Sequence, residues 1–140
     1  MNYNIDELIR MAEQDTHTIV IRSGASNCSM SIVYNVNGKR ISFSKSLAAQ
    51  LGITNEIYLL PIKDANTLIL SAKPIGSKSS VGTVTGEGKK ICYSAQLCKA
   101  LVEIFKLDYN HATSLSFRDI SFDIMNDEKV AIVNMMPVQE

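Results

Sequence analysis

The sequence predicts a mainly β protein with short helices, an α+β barrel built from two internal repeats and preceded by an N-terminal helix. Three observations lead there. First, Gly38-Lys39-Arg40-Ile41-Ser42-Phe43-Ser44-Lys45-Ser46-Leu47 recurs fifty positions later as Gly88-Lys89-Lys90-Ile91-Cys92-Tyr93-Ser94-Ala95-Gln96-Leu97. A repeated unit this short cannot bury its apolar face alone, so two copies are expected to complete one core. Second, most of the remaining chain reads as short β-branched runs separated by Asn, Gly and Asp turn signals. Third, each copy carries a serine just before a short apolar helix pattern, the signature of a capped helix start.

Asn4 can cap the first helix, with Glu7 reaching back as its capping-box partner and Ile5, Leu8, Ile9 and Ala12 on one face. Thr16 to Arg22 reads as a strand, and Ser23 to Asn27 as a loop. Ser29 to Val36 is the next strand. Asn35-Val36-Asn37-Gly38 then closes a hairpin whose Asn-Gly pair tolerates positive φ. Arg40 to Phe43 is a short strand. Ser44 caps a helix holding Leu47, Ala48 and Leu51, and Gly52 ends it in the left-handed conformation. Glu56 to Ile62 and Thr67 to Ala72 flank the turn Lys63 to Asn66, with Pro61 expected where no ladder donor is needed.

Pro74 to Ser80 has linker composition. The second unit then runs from Val81 through the turn Gly86-Glu87-Gly88, a strand Lys90 to Tyr93, and a Ser94-capped helix with Leu97, Cys98, Leu101, Val102, Ile104 and Phe105. Strands are expected at Ser114 to Phe117, Ile120 to Met125 and Val130 to Met135, with Asn126 to Lys129 as the last turn. The domain organisation is therefore 1–28 as N-terminal helix and strand, 29–73 as repeat 1, 74–80 as linker and 81–140 as a divergent repeat 2.

Turn, strand, Ser-capped helix, Leu51-Gly52-Ile53 and a two-strand hairpin, in that order through Leu70, resemble the AbrB/MazE/SpoVT family. The resemblance covers Ser29 to Ala72 well. It covers Val81 to Met135 more weakly, because Leu-Gly-Ile gives way to a longer helix ending at Phe105-Lys106-Leu107. It implies a swapped-hairpin barrel in which two units interlock. It also implies a DNA-binding transcription regulator or antitoxin-like protein, with the early strand and its turn contacting DNA. The matching positions are Lys39, Arg40 and Lys45, with Lys89 and Lys90 in the second copy. Such side chains neutralise phosphates, and an arginine can read a guanine edge through two hydrogen bonds. Only Arg40 is an arginine, and the second copy has none.

Composition bounds these expectations. The chain has 140 residues, 46% of them hydrophobic and 20% charged, ordinary values for a globular domain. Fourteen basic and fourteen acidic residues cancel, which argues against a polycation coating nucleic acid. A protein-interaction module without nucleic-acid binding is the alternative reading. DNA, a protein partner and a second copy forming a homodimer are the candidate partners.

No apolar run has bilayer length, so no membrane association is expected. Cys28, Cys92 and Cys98 are an odd, sparse set that suggests a reducing cytoplasm rather than a disulfide framework. Their spacing to one another and to His17 and His111 matches no metal site. Ser44 and Ser94 lack a nucleophile elbow, and Gly82, Gly86 and Gly88 lack the lysine of a phosphate loop. The expectation is a non-enzyme without cofactor or metal.

Overall fold

The computed structural model describes residues 27–138; the expected N-terminal helix and the Thr16 to Arg22 strand lie outside them. Among the described residues the chain is mainly β, with nine strands and two short α-helices. The strands are β1 (Met30–Asn35), β2 (Gly38–Phe43), β3 (Glu56–Ile62), β4 (Thr67–Ser71), β5 (Ser80–Thr83), β6 (Lys90–Cys92), β7 (Ser114–Phe117), β8 (Ile120–Met125) and β9 (Glu128–Asn134). The helices are α1 (Lys45–Leu51) and α2 (Ala95–Phe105).

The strands form a four-stranded sheet, β6-β2-β1-β7, and a five-stranded sheet, β5-β3-β4-β9-β8. These ladders are open rather than one closed barrel. At one corner the sheets meet through the isolated bridge Thr85↔Ile91. At the other, only Arg118 and Asp119 separate β7 from β8. Strands from both halves of the sequence interleave: β1 pairs with β7, β2 with β6, β3 with β5 and β4 with β9. Neither half keeps its strands to itself, so each depends on the other for ladder hydrogen bonds.

Local chemistry explains the elements. The Ser44 and Ser94 hydroxyls accept the Leu47 and Leu97 amides, at 3.3 and 3.2 Å, satisfying donors that a helix start leaves open. Gly52 closes α1 with φ 68°. The β8–β9 turn holds only Asn126 and Asp127, both at positive φ (52° and 66°), the primed geometry that matches strand twist. β9 therefore starts at Glu128, two residues before the expected Val130, because two residues suffice for the turn. The Val36–Asn37 turn closes without positive φ; there the Asn35 side chain accepts the Asn37 amide at 2.8 Å. Pro61 pairs with Leu68 of β4, past the last β5 partner at Leu59, so no third strand needs its missing donor.

The main core joins both sheets and both helices. Met30, Ile32, Ile41, Phe43, Leu47, Phe117 and Cys98 are wholly buried in it. Leu60, Ile62, Ile69, Ile75, Met125 and Val130 form a second cluster, so β4 is apolar on both sides and all five of its residues are buried. Ile75 changes the picture of the connection at 74–80. Its side chain is buried, its amide is held by the Ser79 hydroxyl at 3.1 Å, and β5 already begins at Ser80. Composition gave a free linker; one apolar residue anchors it.

The two copies are not superposable duplicates. Ile41 pairs with Cys92, and Ser42 with Ile91. Cross-strand partners share a sheet face, so Ile41 and Ile91, aligned in the repeat, point to opposite faces. The consequence is sharpest one turn on: Phe43 is 0% exposed and its aligned partner Tyr93 is 64% exposed. The cause lies in the turns. Two residues separate Asn35 from Gly38, and five separate Thr85 from Ile91. The difference, 5 − 2 = 3, is odd, and an odd shift turns every following side chain over.

Candidate nucleic-acid interface

β2 and β6 are the strands that carry the repeated Gly-Lys-Arg and Gly-Lys-Lys segments, and they lie side by side as an antiparallel ribbon. Lys39 is near one end of this ribbon and Lys90 at the other. Both are half-buried, on the core side shared with Ile41, Phe43 and Cys92. Each lysine folds back to a backbone carbonyl four residues earlier. Lys39 Nζ donates to Asn35 O at 3.2 Å, and Lys90 Nζ donates to Gly86 O at 2.6 Å. Lys39 Nζ also lies 5.6 Å from the centre of the Tyr34 ring, within cation–π range. These two amines close the turns that precede their strands.

Arg40 sits on the other face of β2, with Ser42, and is half-buried. Lys45 is exposed at the start of α1, and Lys89 is exposed just before β6. The second turn packs on the first unit's helix: a Cβ at Gly88 would lie 3.4 Å from Lys45 Cδ. Lys45 and Lys90 thereby share the wall of a cleft of about 280 Å³, with Glu87 beside them. The five candidate residues are thus brought to one ribbon and its flanking helix start, divided between its two faces. Among them, Arg40, Lys45 and Lys89 are the cations not spent on closing a turn.

Sequence reasoning missed the turn-closing role of Lys39 and Lys90. The signal was available as a lysine four residues after each turn's first carbonyl. The fifty-residue alignment hides it, because it matches Lys39 with Lys89 while the contacts match Lys39 with Lys90. It also missed the support behind Lys39. Tyr34 packs against Tyr109 with ring centres 5.8 Å apart, and the Tyr109 hydroxyl donates to Ile32 O at 2.8 Å. Burial pushes the Tyr109 phenol well above its ordinary range, with Cys98 adding to the effect.

The thiols behave as small apolar side chains. Cys28, Cys92 and Cys98 are all free and buried. Burial raises the Cys98 pKa from 9.0 to about 11, nearby Cys92 adding and Lys39 opposing. Burial likewise raises Cys28, against the pull of Lys129. A protonated, enclosed thiol is a poor nucleophile and a poor metal ligand.

No protein-family model, curated protein or solved structure matches this chain.

Proposed function

We propose that this chain is a DNA-binding module of the transcription-regulator or antitoxin type, built as two interleaved swapped-hairpin units. The observation that carries this reading is the adjacency of β2 and β6, which gathers both basic segments of the repeat on one two-stranded ribbon. Lys90 pairs with Phe43, four residues along the ribbon from Lys39, so the two turn-closing lysines stand about 13 Å apart along the strands. β-ribbons are an established means of reaching a DNA groove. The interleaved pairings β1–β7 and β3–β5 agree with the swapped arrangement, and the two corners at Thr85–Ile91 and Arg118–Asp119 are where a barrel would close.

In this reading Arg40, Lys45 and Lys89 contact the DNA backbone, and Lys39 and Lys90 hold the turns that present them. The test is fluorescence anisotropy on a labelled 30-base-pair duplex of mixed sequence between 50 and 200 mM salt. Each phosphate contact contributes about 0.9 to the salt slope, so the Arg40→Ala/Lys45→Ala/Lys89→Ala protein should lose about 2.7 from it. A folded wild-type protein that does not bind at 50 mM salt refutes the proposal.

A second reading, a protein-interaction module without nucleic-acid binding, is favoured by one specific feature. Val81 and Tyr93 are 50% and 64% exposed and lie together in a cleft of about 420 Å³ beside the β5 and β6 edges. Exposed aromatic and aliphatic groups at a sheet edge are common in interfaces. Tyr93→Ser/Val81→Ser should leave DNA affinity unchanged under the first reading. Under the second, those substitutions abolish association with a stoichiometric protein partner, and no DNA binding is seen.

A further inference from the structure

A cavity lies away from the basic ribbon, between the end of α2, the edge of β7 and the C-terminal stretch after β9. Its volume is about 630 Å³, within the range of small-molecule sites. Phe105, Leu115 and Met135 give it an apolar floor, two of them buried and Leu115 half-buried. Lys106 and His111 stand exposed at its rim. Asp108 also lines it, its Oδ1 accepting the Asn110 amide at 2.8 Å.

Backbone conformation singles out Lys106. It caps α2 in the left-handed region, φ 52°, its amide bonded to Val102 O. The corresponding cap of α1 is Gly52, φ 68°. Glycine adopts this conformation without steric cost and lysine does not. Any side chain is disfavoured there, so the lysine gains nothing locally over the glycine that ends the first helix. A strained residue at a cavity rim is a pointer to use of its side chain. Asn66, also at positive φ (51°), lines the same cavity, so two of the four described non-glycine residues with positive φ meet there.

We propose that this cavity binds a small amphipathic carboxylate, its anionic head held by Lys106 with His111 beside it and its apolar body lying on Phe105, Leu115 and Met135. The single lysine at the rim offers one ammonium partner, which suits a singly charged head better than a doubly charged phosphate. The apolar floor has room for a short chain. The site is separate from β2 and β6, so it stands whether or not the ribbon binds DNA.

Octanoate is the probe, titrated to about 10 mM, since a ligand this small is expected to bind in the millimolar range. Binding is read by amide chemical-shift changes in the intact protein. The expected result is saturable binding with shifts centred on Lys106, His111 and Leu115. Lys106→Gly gives the proposal a two-signed test. It relieves the left-handed cap, so the melting temperature should rise, and it removes the cation, so octanoate affinity should fall about tenfold. Leu115→Asp places a charge on the floor and should abolish binding, and octanamide should bind the wild type more weakly than octanoate. No saturable shift in the wild type, or equal octanoate affinity in the Lys106→Gly protein, overturns the proposal.

Discussion

Gly82 offers the most direct check on how the second unit is packed. In β1 the aligned position is Ile32, wholly buried in the core. In β5 it is glycine, and a Cβ there would sit 2.9 Å from Cys92 Sγ and 3.0 Å from Leu97 Cδ1. Both distances are inside van der Waals contact, and both neighbours belong to the second unit's own strand and helix. Cys92 of β6 and Leu97 of α2 thus occupy the space that a larger side chain at Gly82 would need. Gly82→Ala should therefore overpack the site by about 1–3 kcal/mol. The lower entropy of the unfolded chain returns about 0.4–1 kcal/mol, leaving a net loss of about 1.3 kcal/mol at the centre of the range and at most about 2.6 kcal/mol. Urea unfolding measures it, with the slope expected to stay constant while the midpoint falls.

Leu97→Ala removes one of the two clashing groups at some cost of its own. The Gly82→Ala/Leu97→Ala double variant should then be more stable than the sum of the single losses by about 1 kcal/mol. Additivity within about 0.3 kcal/mol would show that Leu97 does not limit the space at Gly82, and would refute the account of why the copies diverge there.

The flipped register makes a paired expectation: Phe43→Ala should cost about 3–5 kcal/mol, and Tyr93→Ala less than about 1 kcal/mol, although the two residues align in the repeat; chemical denaturation of both reads the difference. For Cys98 the folded thiol pKa, about 11, lies above its ordinary 9.0, so the unfolded chain loses its proton first as pH rises. The contribution to stability is intact below pH 9 and declines as pH approaches 11, and the Cys98→Ala protein should show a shallower loss across that window in denaturant titrations.

Much of the fold was legible because its signals are local. Ser44 and Ser94 cap helices by contacts three residues away, Gly52 ends one by its own backbone freedom, and the apolar alternation of Met30, Ile32 and Tyr34 faces one way by geometry alone. What was not legible depends on partners distant in sequence. Ile75 looks like a stray apolar residue in a linker until a second apolar cluster is there to receive it. The side chains of Lys39 and Lys90 look like free surface charge until the preceding turns supply carbonyls. The repeat itself misleads for a related reason. Sequence identity at a fixed offset conserves residue type, whereas a strand conserves facing only if every connection between the copies changes by an even number of residues. Five residues instead of two after β5 are enough to put Tyr93 in solvent where Phe43 is core, and to move the turn-closing lysine from the aligned position 89 to position 90. Copying the first unit onto the second therefore misplaces the turn-closing lysine by one residue. That is why the ribbon's DNA test rests on Arg40, Lys45 and Lys89 rather than on all five aligned cations.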